Sequence, residues 1–298
     1  MENEQSPIVR AHAPEFGANR ARWDELVPVH AASEGYNLAG FLRGEKTLYP
    51  VEIDEVGDVR GRSLLHLQCH FGMDTLNWAR LGARVTGVDF SQPAVERART
   101  LAKQVGIDDA RFVRANVYDA PSVLDETFDV VYTGIGALCW LPDIRAWARV
   151  VSGFLKPGGF LYLYEGHPVL WGIDDEREDQ LLVMRYSYFE TEHANEFWSD
   201  GTYVDGPQLA NRATYEWNHG LGEVVTALIE AGLRLDFLHE HREVVCRALP
   251  WMVSSEAGAS PEGRYINRLS WRLPSGQEDL VPLMYSLKAT KPRAETKD

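Results

Sequence analysis

The sequence is poor in cysteine. Its three cysteines, Cys69, Cys139 and Cys246, are odd in number and far apart in a chain of 298 residues. This pattern argues against a disulfide framework and favours a reducing compartment. No second cysteine stands near Cys69 to form a CxxC redox motif, and no Cys/His cluster elsewhere would complete a tetrahedral metal site. We therefore predict neither redox chemistry at this cysteine nor a bound metal.

Basic charge is also scarce. The 30 Lys and Arg residues are outnumbered by 44 Asp and Glu residues, which gives a net charge of -14. No basic stretch alternates with aromatic residues as a nucleic-acid groove would require. The start "MENEQSPIVRAHAPEFG" lacks the order of a signal peptide, and no apolar run approaches the ~20 residues of a membrane span. We expect a cytoplasmic protein with a small-molecule substrate and no nucleic-acid or membrane partner; a homo-oligomer is left open.

What is present is a regular alternation of strand-like and helix-like segments. The strands are predicted at "RSLLHLQC", "ARVTGVDF", "ARFVRANV", "FDVVYTGIG" and, after a turn at "KPGG", "FLYLYEG". Amphipathic stretches between them predict helices, and five such units predict an α/β fold with a doubly wound, mostly parallel sheet. After a further helix and strand, "LVPLMYSLKAT" predicts an antiparallel last strand at the sheet edge.

The turn after the first strand is unusual. The stretch "LLHLQCHFGMDT" contains Gly72 as its only glycine. Side chains of a strand alternate between its faces, which separates His66, Gln68 and His70 from Cys69 and scatters a metal-binding set. Two interpretations remain: the histidines are hydrogen-bonded core or loop residues, or the turn binds a cofactor, with Gly72 at the closest approach and a helix N-terminus behind it.

Asp89 favours the cofactor interpretation. It ends the second predicted strand, 17 residues after Gly72. A carboxylate at that place can accept both hydrogen bonds of a ribose diol. The alternative is that Asp89 caps the next helix, although Ser91 already supplies a cap.

Over about residues 60–166 the sequence resembles the class I S-adenosylmethionine-dependent methyltransferases. "LLHLQCHFG" stands where the family has its glycine-rich first motif, and "GVDFS", "RANVYD" and "FDVVYTGIGALCWLPD" stand for the second to fourth motifs. "FLKPGGFLYLYE" is the most specific match, because a helix ending in "LKPGG" before the fifth strand is common in this superfamily. The resemblance implies a Rossmann-like fold, S-adenosyl-L-methionine as cofactor, S-adenosyl-L-homocysteine as product, and a methyltransferase activity.

The resemblance also implies roles for individual residues. The methionine part of the cofactor would lie on the first turn, the ribose on Asp89, and the adenine beside Phe90, Asn116 and Val117. Thr133 would line the cofactor from the other side. Tyr36 lies outside the matched stretch, in the amino-terminal segment, which we expect to fold over the cofactor. The predicted cofactor-binding residues are Gln68, Cys69, His70, Gly72, Asp89, Phe90, Asn116, Val117, Thr133 and Tyr36.

The first motif departs from the family pattern. His66 replaces the usual acidic residue, while Gln68 and His70 replace usual glycines. A turn built from such residues must avoid positive φ or accept strain. This departure keeps a non-catalytic protein on the same fold as an alternative.

The segments outside this core are less regular. We predict an N-terminal cap at residues 1–58 and a methyltransferase domain at 59–298, with insertions at about 168–216 and 242–280. Long irregular segments within a domain are usually functional. Aromatic residues of the cap and the first insertion are therefore the predicted substrate-binding residues: Trp23, Trp171, Trp198 and Tyr203.

Catalysis would need alignment of a nucleophile with the sulfonium methyl group and, for oxygen or nitrogen acceptors, removal of a proton. His167, just past the fifth strand, is the predicted base, and Glu165 is the second candidate or fixes His167. The alternative is that His167 only orders the loop before Pro168.

The aromatic residues suit an apolar or aromatic metabolite with an O-, N- or C-acceptor, or they form the insertion's own core. Indole-alkaloid carbon methyltransferases of the teleocidin pathway look broadly similar, which suggests secondary metabolism. Two further alternatives stay open. A nicotinamide-dependent oxidoreductase would leave "LKPGG" unexplained, and a non-catalytic nucleoside-cofactor-binding or assembly protein would use the aromatic insertion as an interface.

Overall fold

The computed structural model describes residues 5–256 and 269–293. Its helices are α1 (Pro7–Ala11), α2 (Ala13–Ala32), α3 (Leu38–Leu42), α4 (Pro50–Val56), α5 (Met73–Arg80), α6 (Gln92–Gln104), α7 (Ile144–Phe154), α8 (Pro168–Gly172) and α9 (Leu221–Glu230). Its strands are β1 (Ser63–Leu67), β2 (Arg84–Asp89), β3 (Arg111–Arg114), β4 (Phe128–Thr133), β5 (Leu155–Gly166), β6 (Asn195–Trp198), β7 (Ala213–Glu216), β8 (Arg234–His241), β9 (Glu243–Val244), β10 (Val253–Glu256), β11 (Leu269–Arg272) and β12 (Met284–Thr290). None of the described helices is long and apolar enough to cross a membrane.

Seven strands form the central sheet, in the order β3-β2-β1-β4-β5-β12-β8. The first five are mutually parallel, and β12 runs antiparallel to both of its neighbours. The predicted doubly wound, mostly parallel sheet with an antiparallel last strand is confirmed. The predicted edge position is wrong, because β12 pairs on both sides: Leu287 faces Leu163 of β5 and Leu238 of β8.

The "KPGG" stretch also differs from expectation. It was predicted as a turn before the fifth strand, whereas β5 already begins at Leu155, which pairs with Phe128 of β4. Gly158 has a φ of +86° and the register shifts nearby, so the strand bends without ending. Backbone hydrogen bonds of Gly158 and Gly159 with Lys291 hold this bend against the end of β12.

Helices cover both faces of the sheet and begin where the sequence supplies caps. The Ser91 hydroxyl accepts a hydrogen bond from the Ala94 amide at the start of α6, and the Asp143 carboxylate accepts one from the Ala146 amide at α7. Two large hydrophobic clusters result, one containing Trp147 of α7 and the other containing Trp78 of α5. The sheet between them is a rigid platform that fixes the ends of its strands.

The cap helix α2 is attached to the first insertion by three polar side chains. Asn19 exchanges two hydrogen bonds with the backbone of Tyr215 on β7. The Arg22 guanidinium donates to backbone carbonyls of Ser199, Asn211 and Gly201, and the Glu25 carboxylate accepts from the backbone at 210–211. The cap and this part of the insertion therefore form one layer.

Both predicted insertions contain local structure. The first carries α8 and the β6–β7 hairpin, and the second contributes to a small sheet ordered β10-β11-β9. Part of the second insertion, residues 257–268, lies outside the described residues. The division into a cap and a domain with insertions stays a prediction.

Candidate active site

A cavity opens at the carboxyl ends of β1, β2 and β4, where open α/β sheets place their ligands. It is lined by Phe16, Trp23, Tyr36, His66, Gln68, Cys69, His70, Phe71, Gly72, Met73, Asp74, Val88, Asp89, Phe90, Ala115, Asn116, Val117, Gly134, Ile135, Gly136, Ala137, Trp140, Leu141 and Tyr203. A larger depression of about 650 Å³ lies beside α1 and α7. None of the motif residues around the first turn lines that depression, so the smaller cavity is the candidate site.

The floor of the cavity is the turn after β1, and its backbone is strained. Gln68 has a φ of +57°, His70 of +49° and Gly72 of +81°. A left-handed conformation costs a non-glycine residue about 1–2 kcal/mol. The chain thus keeps the backbone shape that glycine favours, although two of these three residues are larger. Of the two expected outcomes, avoidance of positive φ or strain, the turn shows strain.

Gly72 itself cannot carry a side chain without rearrangement. A Cβ atom at this position would stand 2.7 Å from the Phe112 ring and 2.9 Å from the Ala98 methyl group. The turn is therefore packed tightly against β3 and α6. The close packing lets α5 begin directly after the turn, with its free N–H groups at the cavity floor.

Asp89 joins this turn to the second strand. One carboxylate oxygen accepts a hydrogen bond from the His70 amide at 2.7 Å, and the other accepts one from the Ser91 amide at 2.9 Å. Burial raises the pKa of Asp89 to about 6, against the effect of these backbone hydrogen bonds. Each oxygen keeps a second lone pair that can accept a further hydrogen bond.

The opposite wall is the loop after β4, and Glu165 holds it in place. The buried carboxylate accepts hydrogen bonds from the backbone amides of Gly136, Ala137 and Leu138, at 2.7–3.1 Å, and from Gly166. Burial raises its pKa, and the four amides oppose that shift. Glu165 therefore positions the cavity wall and does not itself line the cavity.

Gln68 bridges the floor and this wall. Its side-chain amide donates to the Ala137 carbonyl at 2.8 Å. Its carbonyl oxygen Oε1 is buried, with no hydrogen-bond partner in the part of the chain that the structure describes. An unsatisfied acceptor that borders a cavity is suited to a donor group of a ligand.

Aromatic rings of the cap and the insertion form the roof. The Trp23 ring lies 5.1 Å from that of His70 and 5.5 Å from that of Trp140, and Tyr36 lies 5.1 Å from Phe71. The hydroxyl groups of Tyr36 and Tyr203 are hydrogen bonded to each other, which joins the cap to the insertion above the first turn.

The structure brings most of the predicted site residues together. All predicted cofactor-binding residues line the cavity except Thr133, which is fully buried at the end of β4 while its neighbour Gly134 takes the place in the wall. Of the predicted substrate-binding residues, Trp23 and Tyr203 line the cavity. The roles assigned to all of these residues stay predictions.

Four other predicted residues do not line the cavity. His167 caps α8 through Nδ1, and its Nε2 lies 3.1 Å from a carboxylate oxygen of Glu240 on β8, so its ring is engaged away from the cavity lining. Glu165 is occupied by backbone amides. Trp171 packs against Gly166, and Trp198 is 71% exposed on the hairpin. Their predicted contacts with the reactants gain no support from this placement.

Some lining residues were missed by sequence reasoning. Phe16 stands seven residues before the predicted Trp23 on α2, and this helical spacing puts both on the face toward the cavity. Trp140 follows the fourth strand, where a cofactor-side contact could have been expected. His30 on α2 is outside the cavity lining, and its contact with His70 has no signal in the sequence.

Residues 65–161 match the family described as a methyltransferase domain. The match covers the first turn, Asp89 and the loop after β4. This part of the chain is similar to that family, and it is the part that forms the floor and walls of the cavity.

Curated relatives resemble part of the chain. A "ubiquinone biosynthesis O-methyltransferase" of Xanthomonas oryzae is 35% identical over 137 residues, 44% of this chain and 56% of that protein. One from Xanthomonas euvesicatoria is 28% identical over 155 residues, 51% of this chain and 63% of that protein. The matches thus span little more than half of the length of these relatives.

Solved structures share the fold over a longer stretch. A putative S-adenosylmethionine-dependent methyltransferase from Listeria monocytogenes has a TM-score of 0.56 at 17% identity, covering 87% of this chain and 100% of that one. One from Mesorhizobium loti has a TM-score of 0.50 at 20% identity, covering 81% and 96%. At such identities the likeness extends to the fold alone.

Proposed function

We propose that the protein transfers the methyl group of S-adenosylmethionine to a small, largely aromatic metabolite. The observation that carries this proposal is the first turn: Gln68, His70 and Gly72 are all left-handed, directly beside the Asp89 carboxylate. The chain holds this shape although it strains two non-glycine residues. Strain of this kind gathers at functional sites.

The cofactor's position follows from the groups available in the cavity. We place the ribose diol on the remaining lone pairs of Asp89, and the adenine beside Phe90, Asn116 and Val117. The methionine part would lie along Gln68–Gly72, under Tyr36 and near the N-terminus of α5, whose free N–H groups favour a carboxylate. Thr133 would act from behind Gly134, without direct contact.

The lining residues of the cavity indicate the chemistry of the methyl acceptor. Among the described residues that line the cavity none is Lys or Arg, so an acceptor anchored by phosphate or carboxylate groups is disfavoured. Trp23, Trp140 and Tyr203 offer flat apolar surfaces to a neutral ring. The name of the curated relatives, O-methyltransferases, supports an oxygen acceptor.

The cellular setting belongs to the same proposal. A reducing cytoplasm fits the free cysteines, and the net charge of -14 disfavours a nucleic-acid partner. We propose a role in secondary metabolism, whereas the names of the relatives point to ubiquinone biosynthesis. Activity on a panel of both compound classes separates these two settings.

Calorimetric titration with S-adenosylhomocysteine tests the cofactor assignment. Replacing Asp89 with Ala removes two charge-assisted hydrogen bonds to the ribose, each worth about 1.5–3 kcal/mol, so affinity should fall at least about 100-fold. Asp89→Asn keeps the side-chain volume and shows whether charge or size matters. Asp58→Ala, at an exposed carboxylate paired with Arg60, is the matched control and should bind like the wild type.

Absence of binding by the wild type would refute the proposal. It would leave a non-catalytic protein or another cofactor on this fold. A titration with nicotinamide cofactors then tests the oxidoreductase alternative directly.

A further inference from the structure

Two histidines meet above the first turn. His30 belongs to the last turn of α2, and His70 is part of the cavity floor. Nδ1 of His30 lies 3.1 Å from Nε2 of His70, and Nε2 of His30 lies 3.1 Å from the Thr202 hydroxyl. Because a neutral imidazole has one donor and one acceptor nitrogen, the three side chains can form a continuous donor-to-acceptor chain.

The two ends of this chain have different surroundings. His70 is half-buried and lines the cavity, and its Nδ1 has no hydrogen-bond partner among the described residues. Thr202, at the other end, is half-buried beside Tyr203, which is 61% exposed. The chain therefore leads from the cavity through the fully buried His30 to the surface of the insertion.

Neither imidazole is suited to hold a charge. Burial lowers the pKa of His30 to about 4, with a smaller contribution from the Arg22 guanidinium, and burial and His30 lower the pKa of His70 well below its usual value. The Asp89 carboxylate beside this turn accepts a hydrogen bond from the His70 backbone amide. Both rings are thus neutral in the resting protein, and a proton that enters one nitrogen is favoured to leave by the other.

The roof restricts what can meet His70 in the cavity. Trp23 packs edge-on against both histidines, and His30 stacks on Tyr36 with ring centroids 4.8 Å apart. With no Lys or Arg among the described lining residues, a neutral aromatic ring with an ionisable hydroxyl group suits this environment. A phenol must lose its proton to become a good nucleophile.

The geometry points to His70 as the catalytic residue that takes the proton of a neutral phenolic acceptor, and to His30 and Thr202 as the relay that carries this charge to solvent. This inference rests on the proposed methyltransferase function. The phenolic oxygen forms a bond to the methyl carbon as the carbon–sulfur bond breaks, and the electron pair of that bond stays on sulfur. The phenolic proton passes to Nδ1 of His70, the Nε2 proton passes to His30, and the His30 proton leaves through Thr202.

Two asparagine variants test the relay with little change in shape. Asparagine tolerates the left-handed conformation of His70, and at His30 its amide group can stand where Nδ1 stands. Neither amide can pass a proton along. His193→Asn, at an exposed histidine outside the cavity lining, is the matched control.

The assay compares two catechols of different acidity under mildly alkaline conditions. The hydroxyl group of 4-methylcatechol needs a base, whereas 4-nitrocatechol is already largely ionised. We expect His70→Asn to lower kcat about 100-fold or more with 4-methylcatechol but less than about tenfold with 4-nitrocatechol. His30→Asn should show the same preference with a smaller loss. His30→Asn, outside the cavity lining, should bind S-adenosylhomocysteine within about threefold of the wild type. Because His70 belongs to the predicted cofactor-binding turn, the difference between the two catechols decides its role, and circular dichroism verifies that both variants fold.

Several outcomes would overturn the inference. Equal losses of kcat with the two catechols would show that His70 and His30 have a structural or cofactor-binding role and take no part in proton transfer. A wild type that binds S-adenosylhomocysteine but methylates neither catechol refutes the phenolic acceptor and the relay, while the proposed function survives. Failure of the wild type to bind S-adenosylhomocysteine refutes the proposed function itself.

Discussion

Replacing Gly72 with alanine should be among the most damaging small changes in this protein. The backbone at Gly72 has a φ of +81°, which costs alanine about 1–2 kcal/mol. The new Cβ would also stand 2.7 Å from Phe112 and 2.9 Å from Ala98, and overpacking of this kind costs about 1–3 kcal/mol. The free energy of unfolding should fall by about 2–5 kcal/mol.

Two other glycines separate these contributions. Gly106 has a φ of +71° but nothing within 4 Å of a new Cβ, so Gly106→Ala should show only the backbone cost. Gly153 lies in α7 with open space around it, and Gly153→Ala should raise the free energy of unfolding by about 0.5–1 kcal/mol. Urea unfolding followed by circular dichroism measures all three.

The difference in unfolding free energy between Gly72→Ala and Gly106→Ala isolates the steric cost at Gly72. If Gly72→Ala and Gly106→Ala differ by less than about 0.5 kcal/mol, Phe112 and Ala98 do not crowd the turn, and the tight packing argument is wrong. A steric cost should also appear as weaker S-adenosylhomocysteine binding in Gly72→Ala alone, because the turn would have to shift.

Three further predictions concern the rest of the site. Burial raises the pKa of Asp89 to about 6, and ribose binding favours its carboxylate form, so binding releases a proton. Cofactor affinity should therefore fall about tenfold per pH unit below pH 6 and level off above it. Calorimetry can measure this dependence, which Asp89→Asn should lose. The side chain of Glu165→Gln cannot accept hydrogen bonds from all four amides, so the free energy of unfolding, measured by urea titration, should fall by about 2–4 kcal/mol. The control Glu230→Gln, at an exposed ion pair, should leave it unchanged. Arg22→Met removes donors from buried carbonyls and should speed amide hydrogen exchange in residues 199–212 at least about tenfold, with the central strands unaffected.

Each of these has a clear contrary result. Affinity that rises toward acid pH would mean that Asp89 does not carry the ribose. A Glu165→Gln variant as stable as the wild type would remove its role in the cavity wall, and unchanged exchange in Arg22→Met would show that the insertion folds without the cap.

Much of the fold could be predicted because its evidence is local. Apolar runs such as "FDVVYTGIG" and caps such as Ser91 are visible in the sequence, and the alternation of the two kinds of element selects a doubly wound sheet. The place of β12 could not be predicted in this way. Its position between β5 and β8 depends on pairing partners that lie far away in the sequence, and a strand that pairs on both sides looks the same as an edge strand.

The site residues also divide into those with local evidence in the sequence and those that depend on distant contacts. The place of Asp89 and the first turn at the cavity could be predicted, because Asp89 ends one strand of the parallel sheet and the turn follows another. His167 also follows a strand, but Pro168 begins α8 immediately, and the ring of His167 turns to cap that helix and to meet Glu240. The contact between His30 and His70 depends on how α2 packs on the rest of the fold, which no spacing in the sequence reveals.

A crystal structure with S-adenosylhomocysteine tests the central claim most directly. Our account predicts the ribose diol on the Asp89 carboxylate, the adenine beside Phe90 and Asn116, and the homocysteine part along the first turn, with Gln68 and His70 still left-handed. A ligand bound elsewhere, or a first turn that must leave the left-handed conformation to admit it, would contradict the claim that this glycine-poor turn is a working cofactor site.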